Sequence, residues 1–179
     1  MPEITIRPIQ QEDIESLEAF EHGYYTEYVW QMSQDTTGSQ SETSFRRVRL
    51  PRKVFVAYPR KRKAVFNDLD RAEAFLVAEL SERPVGYLKM SAETEPSVVK
   101  VTDLVVSAPM RRQGIASGLL LAGLNLAVNR RFRTVMLEMQ SKNDPAITMA
   151  AKLGFSFCGF RDHYFPNQEL ALFYSRFAR

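Results

Sequence analysis

The residues best placed to do chemistry lie in the stretch VVSAPMRRQGIASGLL. There Arg111, Arg112, Gln113, Gly114, Ile115, Ala116 and Ser117 form a basic turn between an apolar run and a leucine-rich one. A helix opening at this turn exposes backbone N–H groups that have no intrahelical partner, together with the positive end of its dipole. Both favour a bound anion. Gly114 lets the main chain approach a phosphate with no Cβ in the way. Ala116 and Ser117 keep the surface small, and the Ser117 hydroxyl can cap the helix or donate to an oxygen. Arg111 and Arg112 add positive charge. An ordinary strand–loop–helix junction would carry similar letters, so the flanking elements decide between the two readings.

Those elements read as one mixed α/β domain. In EITIRPI, Ile4 and Ile6 alternate with polar residues, a short strand that Pro8 ends or marks as an edge. QQEDIESLEAFEH has helical spacing with acids in its first turns. The aromatic GYYTEYVWQM is expected as a second short helix, and the polar SQDTTGSQSETS as a mobile loop. After the basic segment comes a strand ending near Leu80, a turn at SERP, the strand VGYLKMSAE and the longer strand VVKVTDLVVS. The quoted turn and helix follow, then RTVMLEMQ as strand, DPAITMAAKLG as helix, and FSFCGFR and QELALFYSRF as strands.

The bulk properties narrow the function classes. A chain of 179 residues, 45% apolar and 25% charged, holds one substantial core and is short for two domains. One cysteine, Cys158, excludes an intramolecular disulfide and a Cys-rich metal site, and His22 and His163 lack ligand spacing, so no metal is expected. MPEITIRPIQ has no basic stretch followed by an apolar run, and GLLLAGLNLAV is too short to span a bilayer. A cytoplasmic protein without a membrane partner is the expectation. The net charge of +3 is uneven: nine Lys/Arg and no acid lie between Arg46 and Lys63, leaving about −6 elsewhere. Interleaved aromatic and apolar residues make this run read as a half-exposed strand and loop, and no nucleic-acid partner is expected.

The turn Arg111-Arg112-Gln113-Gly114-Ile115-Ala116 resembles the Arg/Gln-x-x-Gly-x-Gly/Ala signature of the GNAT superfamily of acetyl-CoA-dependent N-acyltransferases. VMLEMQSKNDPAITMAAKLGFSFCGF is similar to that family's second half, with Glu138 on a strand, Asn143 at a helix start and Leu153-Gly154-Phe155 entering the next strand. The likeness runs from about Val77 to the C-terminus. A narrower one, in VMLEMQSKN and ELALFYSRF, is to streptothricin acetyltransferases, and ribosomal-protein alanine acetyltransferases share the Glu and Asn positions.

The resemblance implies an α/β fold whose mostly antiparallel twisted sheet splays between its fourth and fifth strands, with helices on its flanks. It implies one domain over residues 1–179, with 1–76 on the acceptor side and 77–179 as the cofactor-binding core. Acetyl-CoA is the implied donor. Its pantetheine arm would pair with the backbone of Leu104, Val105 and Val106, and its pyrophosphate would rest on the amides of Arg112 to Ser117. The Val106 N–H would polarise the thioester. Glu138 stands where the family has its base, acting directly or through water; otherwise it is a strand carboxylate paired with an Arg or Lys. Asn143 would contact the cofactor, cap the helix, or do both. Ala150 stands where many members carry the Tyr that protonates the thiolate. Tyr164 is the first substitute, or else it shapes the acceptor pocket; behind it stand His163 and Cys158, the latter expected as a small buried residue.

For the acceptor, Tyr24, Tyr25, Tyr28 and Trp30 offer aromatic surface, and Glu27, Asp162 and Glu169 negative partners for an amine. Tyr24, Tyr28, Trp30 and Asp162 are the principal candidates; aromatic packing accounts equally well for half of such residues. The implied function is acetyl transfer to a primary amine of a small molecule (antibiotic- or polyamine-like) or a peptide, by a monomer or homodimer. Two other readings stay open: an acyl-CoA-binding sensor, suggested by Ala150, and a nucleic-acid-binding module, suggested by the basic run.

Overall fold

Alternating side chains build the centre of the molecule, a computed structural model that describes residues 4–67, 69–93 and 97–178. Among the described residues, strands β1 (Thr5–Pro8), β2 (Tyr24–Thr37), β3 (Gln40–Val56), β4 (Ala74–Leu80), β5 (Arg83–Ala92), β6 (Val98–Val106), β7 (Thr134–Gln140), β8 (Ser156–Arg161) and β9 (Ala171–Phe177) are interspersed with four α-helices. These are α1 (Asp13–Glu18), α2 (Arg62–Val65), α3 (Ile115–Asn129) and α4 (Asp144–Lys152). Seven strands form one sheet in the order β1-β4-β5-β6-β7-β9-β8, and β2 and β3 form a separate two-stranded sheet. Among the described residues of the large sheet, β6 and β7 pair in parallel and the other neighbours antiparallel.

Each face of the sheet carries its own core. Leu76, Ala78, Leu88, Met90, Val135 and Leu137 pack under α3 and α4. Phe75, Val77, Tyr87 and Val105 pack on the other face with Leu17 of α1 and Val65 of α2. On α3, Leu119, Leu120 and Leu124 are buried, and Gly123 lets the helix approach β5, where a Cβ would stand 3.1 Å from Met90 Sδ. The cut expected between residues 76 and 77 falls inside β4, with β1 paired beside it.

The feature that positions the site is an irregularity in β6. Lys89 faces Asp103 and Met90 faces Val101, so Thr102 is an extra residue, a β-bulge. Val99 and Val101 therefore point into the α3 layer, while Val105 points into the α1 layer. The same place ends the parallel pairing, whose last partners are Val101 and Leu137. Beyond them β6 and β7 part, the fourth and fifth strands of the sheet, as expected.

Three local expectations are corrected. The aromatic segment expected as a helix is the first half of β2: Tyr, Thr, Val and Trp favour extended backbone, and β3 supplies cross-strand partners, as between the rings of Tyr25 and Phe55 at 5.3 Å. The expected mobile loop is the hairpin's end, paired through Thr37↔Gln40 with Gly38 at φ 60° in the turn. Its polarity reflects strands exposed on both faces. Cys158 is exposed, not buried: β8 is an edge strand whose register with β9 shifts between Phe157 and Gly159, which leaves Cys158 on a bulge. Among the described residues, no helix is long and apolar enough to cross a membrane, and no group of three His, Cys, Asp or Glu is placed to hold a metal.

Candidate active site

The parting strands open a cleft of about 620 Å³. Leu104, Val105 and Val106 line one bank, past the last residue of β6 that pairs with β7. Above them the turn enters α3 through Gly114, in the left-handed conformation at φ 85°, with no side chain capping the helix. The first helical bond runs from Gly118 N–H to the Gly114 carbonyl at 2.9 Å, so the amides of Ile115, Ala116 and Ser117 precede the ladder. Arg112 is also left-handed, at φ 66°. Left-handed residues in a tight turn are the kind of backbone that forms anion-binding concavities of N–H groups. Gly114, Ile115, Ala116, Ser117 and Arg112 line the cleft.

Arg111 and Gln113 are used differently. Arg111 Nε donates to the Val106 carbonyl at 3.0 Å, and Arg111 Nη2 to the Glu21 carbonyl, so its guanidinium ties the end of β6 to the segment before β2. Gln113 donates back to the Pro109 carbonyl at 3.3 Å. Across the cleft Asn143 is the N-cap of α4, accepting from Ala146 N–H at 3.3 Å, and also lines the cleft.

Alternation on β7 sends Leu137 and Met139 into the α3 layer and leaves Glu138 on the opposite face. Its side chain is 0% exposed. Oε1 accepts from Arg60. Oε2 lies 3.0 Å from Lys100 Nζ and accepts from the Tyr164 hydroxyl at 2.7 Å. Arg60 also donates to the Thr102 carbonyl at 2.9 Å and lies 3.7 Å from Asp103, which accepts from Tyr58. One guanidinium thus joins both banks at the bulge. Burial works against the charge of Arg60, but Asp103 and Glu138 outweigh it and hold its pKa above the ordinary value. Lys100 is raised in the same way, burial being outweighed by Glu93 and Glu138. Burial and the bond to Glu138 raise the Tyr164 hydroxyl, which keeps its proton. Ala150 is wholly buried in the core.

The acceptor-side candidates separate. Tyr24 lines the cleft and donates to Gln140 at 3.0 Å; Gln140 donates in turn to Glu169. Burial, then the charge of Glu169, raises the Tyr24 hydroxyl. Trp30 and Tyr28 serve a clamp. Arg47 binds Asp144 with two bonds of 2.7 and 2.9 Å and lies 3.5 Å over the Tyr28 ring, while Trp30 Nε1 donates to Asp144 at 3.2 Å. Trp30 N–H also bonds the Ser141 carbonyl at 2.9 Å, fixing the hairpin to the start of α4. Asp162 is exposed beside His163 in the turn after β8, away from the cleft lining.

Among the cleft residues not anticipated are His22, Arg60 and Asp103, and Lys100, which pairs with Glu138, was not anticipated either. Asp103 and Lys100 had a signal, since each interrupts an apolar strand and calls for a partner. Arg60 was concealed in the basic run, two of whose members, Arg47 and Arg60, pair with carboxylates. His22 sits in a connection with no pattern to mark it. It is 3% exposed and lines the cleft. Burial lowers its pKa from the ordinary 6.5, against the opposing bond to the Phe20 carbonyl.

Comparison with known proteins matches this architecture. Residues 41–155 fit the model of the Acetyltransferase (GNAT) family. N-acetyltransferase 8B of Rattus norvegicus is 32% identical over 114 residues, 62% of this chain and 50% of that one. An N-alpha-acetyltransferase of Sulfurisphaera tokodaii is 33% identical over 108 residues, 54% of this chain and 64% of that one. The chain spans between half and two thirds of the length of these relatives. Among solved structures, nourseothricin acetyltransferase superposes with a TM-score of 0.82 at 21% identity, covering 98% of this chain and 99% of that one. A protein of Bacillus anthracis described as a streptothricin acetyltransferase, in complex with acetyl coenzyme A, gives 0.76 at 16% identity, with 98% and 99% covered. With the splayed sheet and the glycine turn in place, the family match over most of its length means that this chain belongs to the GNAT acetyltransferase family.

Proposed function

We propose that the protein transfers an acetyl group from acetyl-CoA to a primary amine of a small molecule or peptide. The observation that carries this reading is the parting of β6 from β7 after Val101 and Leu137, which brings a strand edge, the amides at Gly114 and buried Glu138 to one cleft. The edge Leu104–Val106 suits the amides of a pantetheine arm, the turn suits a diphosphate, and Asn143 flanks the arm. The Val106 N–H is the donor for charge developing on the thioester oxygen.

An amine of pKa about 10 is roughly 0.1% neutral at pH 7, so a proton acceptor is needed. Glu138 takes that proton, directly or through water, from the acceptor-side face of the sheet. The nitrogen attacks the carbonyl carbon, the C–N bond forms, the C–S bond breaks, the sulfur leaves with the bond's electrons, and the second proton of the now cationic nitrogen passes to water. Tyr164 is the candidate to protonate it; a thiol of pKa about 8.5 can also depart as thiolate. Tyr24 shapes the acceptor's approach.

Calorimetry against coenzyme A, with thiol release measured across primary amines, tests the reading. Binding together with release is expected. No binding at millimolar coenzyme A overturns the reading; binding with silence across the amines would favour an acyl-CoA sensor.

A further inference from the structure

Glu138 can serve as a base only if it is held still and keeps a lone pair for the proton. An ionised carboxylate has about four lone-pair sites. On Glu138 two are taken at Oε2, by Lys100 and Tyr164, and one at Oε1, by Arg60. Among the described residues the remaining site is therefore on Oε1, the oxygen that Arg60 holds. Both residues line the cleft.

Arg60 holds more than the carboxylate. Its Nη1 donates to the Thr102 carbonyl at 2.9 Å while its Nη2 donates to Glu138. Thr102 is the extra residue of the bulge, one past the last β6–β7 partners, Val101 and Leu137. A guanidinium is planar and rigid, so its two prongs fix the gap between the bulge and the base. Beyond the bulge β6 stays paired with β5, Leu104 with Leu88 and Val106 with Gly86, which carries that spacing to the Val106 N–H. Lys100 also reaches Glu138, but its flexible stem ends in a point charge shared with Glu93 at 2.6 Å. Arg60 is itself anchored. Tyr58, two residues earlier, donates to Asp103, and the Phe165 ring lies 5.6 Å from the guanidinium carbon.

We propose that Arg60 is the positioning residue of the base, holding Glu138 Oε1 at a set distance from the end of β6 where the thioester would be polarised. This rests on the acyl-transfer reading and deepens it. Arg60 acts through Glu138, so its loss slows the chemical step without weakening the cofactor. Charge alone does not perform this task. The two-pronged reach from one bank to the other does, and a lysine lacks it.

The test measures thiol release from acetyl-CoA in Arg60→Ala and Arg60→Lys, with a primary amine on which the wild type releases thiol. Both variants are expected to lose between about tenfold and a hundredfold in kcat, the worth of a hydrogen bond to a charged group. Coenzyme A affinity by calorimetry is expected to stay that of the wild type. The Arg60 side chain is 25% exposed, so a free guanidinium ion can enter the space it leaves. Guanidinium chloride at a non-denaturing concentration is expected to restore kcat in Arg60→Ala, and sodium chloride at the same concentration is not. A damaged fold would respond in the opposite sense, since guanidinium weakens packing. Wild-type kcat in either variant overturns the inference, as does a lost kcat that guanidinium leaves lost. Should Arg60→Ala fail to fold, Arg60→Lys alone decides. No thiol release from the wild type with any primary amine overturns the acyl-transfer reading and this inference together.

Discussion

At the scale of single residues, Glu138 is defined by what surrounds it. Two cations and a phenol converge on its carboxylate, and a neutral amide in its place would leave Arg60 and Lys100 with less countercharge in a buried setting. Glu138→Gln is expected to lower turnover by about a hundredfold or more, the scale of a lost general base, and to leave coenzyme A affinity unchanged. Single-turnover rates beside calorimetry check this; wild-type turnover would remove Glu138 from the chemistry. Glu138 itself was legible in the sequence as an acid in an apolar strand within a family-like segment. Its partners were not. Arg60 and Glu138 are 78 residues apart, and nothing local in YPRKRK distinguishes the arginine that turns inward from its solvated neighbours.

At the scale of elements, the strand–turn–helix at Gly114 was readable because its signals are local: an apolar strand, a turn, a small residue needing φ > 0, then leucines at helical spacing. Gly114→Glu places a side chain on a left-handed residue and a carboxylate where phosphate oxygens would lie. Coenzyme A binding is expected to vanish while circular dichroism stays that of the wild type; retained affinity would refute the phosphate seat. The hairpin β2–β3 was not readable. Its strands of 14 and 17 residues are exposed over much of their length, so no buried face imposes alternation. What fixes it lies elsewhere in the chain, in the grip of Asp144 on Arg47 and Trp30.

At the scale of the whole molecule, groups that hold the layers together should make stability depend on pH. Arg7 binds Asp13 of α1 at 2.7 Å and Glu79 of β4 at 2.7 Å, and its guanidinium lowers the Asp13 pKa below 3.8. That contribution is present above the ordinary carboxylate range and is lost as pH falls through the lowered value. His22, whose imidazole is held below 6.5 by burial, makes the unfolded chain bind more protons as pH falls from 6.5, so stability declines over that window. The melting temperature is expected to drop in two stages on acidification, and His22→Gln to abolish the first; scans from pH 8 to about 3 check this. The mixed α/β plan was legible in the order of elements, whereas these cross-layer ties depend on tertiary contacts. The extra peptide at Thr102 has the widest reach of all. Were that one codon absent, Asp103 would follow Val101 in regular register against Lys89 and Met90, every side chain keeping its face. The two central strands could then carry their pairing past Val101 and Leu137, and the cleft would lose the carbonyl that anchors Arg60 between its banks.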